Sequence, residues 1–210
     1  MRFASREDAG CRLAEWLRME GITASLVLGL PRGGVIVAAP VARALGLPLD
    51  VLIVRKLGHP QHREFAVGAL AEPDVAILDD ASIGWKPVTR AQLDEVITEE
   101  IERLRSYRVR FHLRPAPALD GKQVLLVDDG LATGATMEAA VRGARARGAA
   151  RIVVAAPVAS SNAVQRLAAV ADVVKVACVD PEFDAVGRYY LNFEQTTDQE
   201  VIACLRRQPQ

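Results

Sequence analysis

Residues 124–136 constrain the fold of this chain more than any other stretch. Four apolar residues are followed by Asp128 and Asp129, and then by a run of small and hydroxylated residues. An apolar run this short and this uniform is typical of a central parallel strand that is covered on both faces. The stretch therefore predicts a buried strand, a polar strand end and a tight loop that opens a helix.

The polar strand end and its loop indicate a binding site. Ligands of open α/β sheets bind at the carboxyl ends of the strands, where Asp128 and Asp129 would accept hydrogen bonds from vicinal hydroxyl groups such as those of a ribose. The loop combines uncovered backbone amides and two threonine hydroxyls with the positive end of the next helix, which suits a phosphate. The predicted phosphate-binding residues are Gly130, Leu131, Ala132, Thr133, Gly134, Ala135 and Thr136. We therefore expect a sugar-phosphate site, and a plain strand-turn-helix with an aspartate turn is the alternative.

Short apolar runs alternate with helical patterns along the rest of the chain. The predicted buried strands are 26–30, 50–54, 124–127, 152–156 and 173–176, and short strands at 66–70 and 75–78 are expected to extend the sheet edge. The predicted helices are 5–21, 35–45, 89–107, 137–147, one that ends near 167, and 197–205, although Pro40 conflicts with the second of them. This alternation predicts an α/β fold with a mostly parallel sheet flanked by helices.

Composition limits the kinds of partner that this chain is expected to have. Its 210 residues are enough for one core, and 26 basic side chains balance 26 acidic ones, so no net charge favours nucleic acid or an anionic membrane. We therefore expect a small-molecule substrate, no nucleic acid and no membrane. Cys11, Cys178 and Cys204 are odd in number and far apart, which argues against a disulfide framework. With no apolar leader in the first residues, a cytoplasmic location is expected.

A second loop, at 31–34, follows the first predicted strand and has the sequence Pro-Arg-Gly-Gly. By itself it would be an ordinary strand-helix connection with a solvent-facing arginine. Its free amides and its guanidinium also suit a pyrophosphate, because an arginine fork binds two phosphate oxygens at once. Together with the 124–136 motif, this loop makes the sequence similar to the type I phosphoribosyltransferases over most of residues 25–180. The resemblance implies the Rossmann-like fold of that family.

The resemblance also implies a role for each motif. The donor would be phosphoribosyl pyrophosphate, with its ribose held by Asp128 and Asp129 and its 5-phosphate held by the loop at 130–136. The residues implied for the pyrophosphate are Arg32, Gly33 and Gly34, with Arg55 and Lys56 at the base of a mobile loop at about 55–65. Mg²⁺ would bind through the pyrophosphate, with Asp128 or Asp129 contributing through water. Members of the family are commonly homodimers.

Two segments around this framework are less regular. Residues 57–65 lack any period, so we expect an exposed loop in which His59 and His62 are solvated, with a catalytic or metal-binding role as the alternative. A helical insertion is predicted at about 88–112, where Thr89 and Gln92 form a capping box. Its apolar stripe is expected to pack on the core or on a second subunit.

The predicted core covers residues 1–180, and residues 181–210 are expected to form a small hood and a closing helix. This tail concentrates aromatic residues in a chain that is poor in them. It resembles the tail that folds over the base in purine-type phosphoribosyltransferases, and the residue chosen to stack on the base is Phe183. A satellite hydrophobic cluster under the tail is the alternative.

One departure from the family affects the acceptor. Members that use 6-oxopurines carry an aspartate where this chain has Ala132. Hypoxanthine, guanine and xanthine are therefore disfavoured, and adenine-like, pyrimidine or unusual acceptors stay open. The predicted function is phosphoribosyl transfer to a nitrogenous base with release of pyrophosphate, and a non-catalytic binding protein on the same fold is the alternative. The sequence has no Gly-x-Ser-x-Gly elbow or metal-ligand cluster, which disfavours a hydrolase.

Overall fold

The computed structural model describes residues 2–78, 83 and 88–207. Its strands are β1 (Leu26–Gly29), β2 (Leu49–Val51), β3 (Val54–His59), β4 (His62–Ala71), β5 (Val75–Leu78), β6 (Gln123–Val127), β7 (Arg151–Ser160) and β8 (Val173–Asp180). Its helices are α1 (Arg6–Met19), α2 (Gly33–Leu45), α3 (Arg90–Phe111), α4 (Ala135–Ala146), α5 (Ser161–Ala168) and α6 (Asp198–Arg206), with a 3₁₀ turn at Val186–Tyr189. The end of the predicted hood, residues 208–210, lies outside the described residues.

A parallel sheet in the order β2-β1-β6-β7-β8 confirms the predicted α/β fold. The strand order reverses between β1 and β6, and sheets of this kind bind ligands outside the carboxyl ends of the strands at such a switch point. Leu28 pairs with Leu126 in parallel register. The loops that follow β1 and β6 therefore leave the same edge of the sheet side by side.

Both faces of the parallel sheet are covered by helices. Val27 and Leu125 belong to one core with residues of α1 and α2, whereas Leu28 and Leu126 belong to a second core with residues of α4 and α5. Side chains alternate between the two faces along a strand. Burial on both faces explains why the strands are uniformly apolar in sequence.

The helix starts that were predicted from capping residues are confirmed. The Ser5 side chain accepts a hydrogen bond in the first turn of α1, and Thr89 forms the capping box of α3 with Gln92. The conflict at Pro40 is resolved by a helix α2 that continues through the proline. Pro40 packs so closely on α1 that a Cβ added to Gly10 would overlap it.

The region between residues 50 and 78 differs from its prediction. The predicted strand at 50–54 is divided, because β2 belongs to the parallel sheet and β3 begins a separate antiparallel sheet in the order β3-β4-β5. The prediction of an exposed loop at 57–65 is wrong, since β3 and β4 form a hairpin there and His59 is buried. The strands at 66–70 and 75–78 exist within β4 and β5, but they pair in this second sheet and do not extend the parallel one.

Helix α3 packs on the antiparallel sheet. Leu57 of β3, Leu70 of β4 and Leu104 of α3 belong to the same buried cluster. The helix continues past its predicted end near 107 as far as Phe111, whose side chain is fully buried. No helix within the described part of the chain is long and apolar enough to cross a membrane.

The first residues of the chain pack against its carboxyl-terminal segment, which we define as residues 189–198. Phe3 N donates to Tyr189 O at 2.7 Å, and Leu191 N donates to Phe3 O at 2.8 Å. Helix α6 then starts at the predicted cap, Thr197. This pairing brings the start of α1 and the carboxyl-terminal segment to the edge of the sheet where β6 ends.

Candidate functional site

The acidic pair lies directly after β6, at the switch point of the sheet. Asp129 N donates to Asp128 Oδ1 at 2.8 Å, so the Asp128 side chain is held by the backbone of its neighbour. Burial raises the pKa of Asp128 well above its usual value, and the neighbouring charge of Asp129 raises it further. Burial also raises the pKa of Asp129, although Arg6 opposes that effect. Buried carboxylates with perturbed pKa values are typical of functional sites.

The glycines of the 31–34 loop pass directly against these carboxylates. A Cβ on Gly33 would overlap Asp129 Oδ2, and a Cβ on Gly34 would lie 2.8 Å from Asp128 Oδ1 and from Val127 O. Only glycine allows the backbone to approach this closely. The two motifs that were recognised separately in the sequence therefore meet in the structure.

The loop after the acidic pair presents backbone amides to solvent. Gly134 has φ +76°, a left-handed conformation that favours glycine, and it forms the N-cap of α4. The amides of Ala132, Thr133 and Thr136 donate to no group in the described residues, and these three residues are exposed. Free amides at a helix amino terminus suit an anion.

One residue of the predicted phosphate loop differs from the others. Leu131 is buried, and its N donates to Val158 O at 3.0 Å while its O accepts from Ser160 N. The Leu131 amide is thus bound to β7 and is not available to a phosphate, in contrast to the free amides later in the loop. Ser160, at the end of β7, also holds the loop, because its Oγ donates to Ala132 O at 2.6 Å.

Arg6 is a site residue that the sequence did not reveal. Its Nε donates to Asp129 Oδ2 at 2.7 Å, and its Nη1 donates to Glu194 O at 2.7 Å. Its guanidinium carbon lies 3.9 Å from the centroid of the Phe193 ring. A cation in the first turn of α1 opposes the helix dipole. That anomaly is the signal in the sequence that could have identified Arg6.

The carboxyl-terminal segment contributes two further residues. The Tyr190 hydroxyl donates to Asp129 O at 2.5 Å, and burial raises the pKa of Tyr190 well above its usual value, so the phenol keeps its proton. Arg32 Nη1 lies 3.7 Å from Asp198 Oδ1, and Asp198 Oδ2 accepts from Arg110 at 2.5 Å. The predicted pyrophosphate arginine is therefore held beside the start of α6.

Arg55 and Lys56 lie on β3, in the antiparallel sheet. Arg55 Nε donates to Glu100 Oε2 of α3 at 2.9 Å, and its guanidinium lies 5.0 Å from the centroid of the Tyr107 ring. Glu100 is buried and also accepts from Arg103. Arg55 is thus bound to α3, and a role for either cation at the pyrophosphate stays a prediction.

Phe183 lies in a satellite cluster at the edge of the sheet. Its ring stacks on that of Tyr189, with centroids 5.3 Å apart and planes inclined by 19°, and it packs beside Phe3 and Val158. This arrangement fits the packing alternative, and stacking of Phe183 on a base stays a prediction. The aromatic rings near the acidic pair are instead those of Tyr190, which donates to Asp129 O, and Phe193, which stacks on Arg6.

The donors at the site suit a metal that arrives with a phosphate ligand. No group of three or more histidine, cysteine, aspartate or glutamate side chains among the described residues is arranged to hold a metal by itself. Mg²⁺ usually keeps several waters and binds through one or two carboxylates together with substrate phosphates. Asp128 and Asp129 supply such carboxylates beside the amide loop, so the residues present fit a Mg²⁺ ion bound mainly through the donor.

Comparison with known proteins agrees with this geometry. Residues 4–193 match the model of the phosphoribosyl transferase domain family. "Putative phosphoribosyl transferase Rv0571c" of Mycobacterium tuberculosis (strain ATCC 25618 / H37Rv) is 44% identical over 206 residues, which are 98% of this chain and 46% of that protein. The chain thus spans about half the length of this curated relative.

Solved structures share the fold. The crystal structure of TT1426 from Thermus thermophilus superposes with a TM-score of 0.81 at 46% identity and covers 99% of both chains. The AQ2163 protein from Aquifex aeolicus superposes with a TM-score of 0.51 at 13% identity, covering 87% of this chain and 78% of its own. At that identity the likeness concerns the fold alone.

Proposed function

Because the chain belongs to the phosphoribosyl transferase domain family, we propose that it binds phosphoribosyl pyrophosphate and transfers the phosphoribosyl group to a nitrogenous base. The supporting observation is the meeting of two loops at the switch point. There, Gly33 and Gly34 pass against Asp128 and Asp129, and the amide loop follows at once. Carboxylates, a guanidinium and free amides therefore lie close together. These groups match a ribose that carries a phosphate on one side and a pyrophosphate on the other.

Each part of the donor has a partner in this arrangement. Asp128 and Asp129 accept hydrogen bonds from the ribose hydroxyls, and the amides of 132–136 bind the 5-phosphate. Arg32 and the glycine amides beside it bind the pyrophosphate. The second cation for the leaving pyrophosphate is Lys56, or Arg55 once its side chain turns away from Glu100 of α3.

The reaction breaks the bond from C1 of the ribose to the pyrophosphate oxygen and forms a bond from C1 to a base nitrogen. Positive charge develops on the ribose in the transition state, and negative charge develops on the departing pyrophosphate. The buried carboxylates stabilise the first and Arg32 stabilises the second. Holding donor and base in register supplies much of the remaining acceleration. When bound, Mg²⁺ neutralises charge on the pyrophosphate.

The choice of acceptor bases to test follows from the absence of a carboxylate at position 132. Ala132 is exposed beside the amide cradle and offers no carboxylate to a 6-oxopurine. Adenine-like and pyrimidine bases are therefore the first acceptors to test. The dimeric state and the cytoplasmic location expected from the sequence stay predictions.

A binding protein without turnover is the second candidate. The observation that favours it is the engagement of Arg55 with buried Glu100, which holds one predicted pyrophosphate cation on α3. Such a protein would bind the donor with the same loops and would not release pyrophosphate.

The two candidates separate in an assay of pyrophosphate release. The protein is incubated with phosphoribosyl pyrophosphate, Mg²⁺ and single bases, including adenine, uracil, cytosine, hypoxanthine and guanine. We expect release with a base other than the 6-oxopurines, and loss of that release in Asp129→Asn. Donor binding without release for any base would favour the binding protein. A wild-type protein that does not bind the donor would exclude both functions.

A further inference from the structure

Arg6 occupies a position that the proposed function does not explain. It belongs to the first turn of α1, and the acidic pair follows β6 more than a hundred residues later in the chain. The ion pair between Arg6 and Asp129 is largely shielded from solvent, with side-chain exposures of 13% and 15%. A shielded pair of this kind is not an incidental surface contact, because each charge has lost most of its hydration.

The guanidinium of Arg6 is fixed on three sides. Nε binds Asp129 Oδ2, Nη1 binds the backbone oxygen of Glu194, and the Phe193 ring covers one face at 3.9 Å. A planar guanidinium with two directed hydrogen bonds and a stacked face has little freedom to turn. Arg6 therefore fixes the carboxylate that it touches.

The contact uses only one oxygen of that carboxylate. Arg6 binds Oδ2, on the side where the Gly33 backbone passes, and Oδ1 is outside the ion pair. At the same time Tyr190 donates to the backbone oxygen of Asp129. Side chain and backbone of Asp129 are thus both held by groups from the two ends of the chain.

The charges at the site also indicate that Arg6 holds Asp129 in place. Asp128 and Asp129 are adjacent acids in a buried setting, where two negative charges repel each other and lose hydration. Arg6 is the cation that pairs with this site in the described structure. Without it, a buried carboxylate would turn away from its neighbour or toward water.

We propose that Arg6 is a positioning residue of the donor site: it holds Asp129 through Oδ2 so that Oδ1 faces the ribose hydroxyls, and it links that carboxylate to the carboxyl-terminal segment. The assignment rests on the proposed function, since the ribose is the ligand that Asp129 receives. Arg6 does not touch the donor in this account. It acts through the orientation of Asp129, while Glu194 and Phe193 hold Arg6.

Two ligands distinguish this role from general support of the fold. Phosphoribosyl pyrophosphate contains the ribose, whereas inorganic pyrophosphate contains only the group bound by the 31–34 loop. Binding of each, with Mg²⁺, is measured by calorimetry for wild type, Arg6→Gln, Arg6→Lys, Asp129→Asn and the double variant of Arg6→Gln with Asp129→Asn. Arg12→Gln is the matched control, because Arg12 lies on the same helix and pairs with Asp8 in an exposed contact.

We expect Arg6→Gln to weaken binding of phosphoribosyl pyrophosphate by about tenfold to a hundredfold, the usual effect of losing a charged hydrogen bond. Binding of inorganic pyrophosphate should fall much less than binding of the donor, because Arg6 Nε packs beside Gly33 but its hydrogen bonds go to Asp129 and Glu194. Arg6→Lys should recover part of the loss, Arg12→Gln should match wild type, and the double variant should be no weaker than Asp129→Asn alone.

Three results would contradict the positioning role of Arg6. Equal losses for both ligands would show a structural role only and would overturn the assignment, as would unchanged donor binding in Arg6→Gln. If wild type binds neither ligand, the proposed function fails and the role at the ribose fails with it. The contact itself is then read without ligand from the Arg6 Nε–H signal in nitrogen-15 NMR spectra, which Asp129→Asn should shift if the pair exists in solution.

Discussion

Two regions of this molecule use buried charge in opposite ways. In the parallel-sheet region, formed by β1, β2 and β6–β8 with their helices, the interior is apolar and the carboxylates of Asp128 and Asp129 lie at a strand end. In a second region, formed by the described parts of residues 54–112 and here named the insertion, which is larger than the helical insertion predicted at about 88–112, a carboxylate is buried where this region joins the rest of the chain. Among the described residues, the two carboxylates of the first site are paired with one cation, Arg6. The carboxylate of the second site is paired with several basic side chains of the protein itself.

Glu72 is the centre of the second site. Its side chain is 2% exposed, its Oε1 accepts from Ile53 N at 3.0 Å, and His112 Nε2 lies 3.0 Å from its Oε2. Arg108 and Arg147 lie 3.4 and 3.5 Å from the same carboxylate. This cluster joins β4, the end of α3 and the end of α4. A buried acid with a complete set of partners stabilises structure, whereas we propose that an acidic pair with one cation binds a ligand.

The largest predicted effect is on the insertion. Glu72→Gln removes the charge that faces His112 and the two arginines, so we expect the free energy of unfolding to fall by about 3–5 kcal/mol, as when one partner of a buried ion pair is lost. Urea unfolding followed by circular dichroism measures this change. Glu99→Gln is the control, since Glu99 and Arg63 form a pair whose side chains are each 47% exposed. It should cost about 1 kcal/mol or less, and equal losses in the two variants would remove the distinction.

The next effect is on the ligand site. Gly33→Ala places a Cβ where Asp129 Oδ2 lies, which displaces the carboxylate. We expect donor affinity to fall on the order of a hundredfold, as for a misplaced positioning group. The free energy of unfolding should also fall, because the displaced carboxylate loses its shielded ion pair with Arg6. Calorimetric titration and urea unfolding of the same sample test both statements, and unchanged donor affinity would show that the close approach has no role in binding.

Gly143→Ala should lower the stability of the protein without lowering its donor affinity. A Cβ on Gly143 of α4 would lie 2.8 Å from Ala71 Cβ and from Glu72 O, so α4 and the insertion must move apart. Overpacking of this kind costs about 2 kcal/mol of stability. Donor affinity measured on the folded variant should match wild type. If Gly143→Ala weakens donor binding as much as Gly33→Ala does, the two regions are coupled and do not act separately.

The remaining effect is the response of the insertion to pH. Burial by itself lowers the pKa of His112, but hydrogen bonds and charge from Asp50 and Glu72 outweigh it and raise the pKa to about 9. The folded pKa is above the unfolded value of 6.5, so this contribution to stability is fully present below about pH 6.5 and is lost as pH rises through about 9. We expect about 2 kcal/mol to be lost between about pH 7 and 9, and less in His112→Gln. An unchanged slope in that variant would assign the pH dependence to other groups.

The two regions also differ in how far sequence predicted them. The strands β1 and β6 were predicted because burial on both faces leaves a short, uniform apolar run. Helix starts at Ser5 and Thr89 were predicted because caps are local chemistry. The hairpin of β3 and β4 was not predicted, because its residues mix charge, glycine and histidine. Its strands are specified by pairing with each other and by packing on α3.

The candidate site shows the same limit. The acidic pair and the 31–34 loop are each local in sequence, and the order of strands brings them together. Arg6 was missed, because a cation in the first turn of α1 marks it as unusual but its contact with Asp129 depends on how the two ends of the chain pack at the sheet edge. Tyr190 and Phe193 were missed for a similar reason, since an aromatic-rich tail does not indicate which ring meets Asp129 and which meets Arg6.

Titration of the protein with phosphoribosyl pyrophosphate and Mg²⁺, in parallel for wild type and Asp129→Asn, tests the central claim most directly. The account predicts saturable binding to wild type and a loss of about a hundredfold or more in the variant, because the charge-assisted hydrogen bond from the ribose to Oδ1 and the ion pair that orients Asp129 weaken together. The folded state of the variant is checked by its circular dichroism spectrum. Absence of binding to wild type, or equal affinity in a folded Asp129→Asn, would contradict the assignment of this edge of the sheet as a phosphoribosyl site.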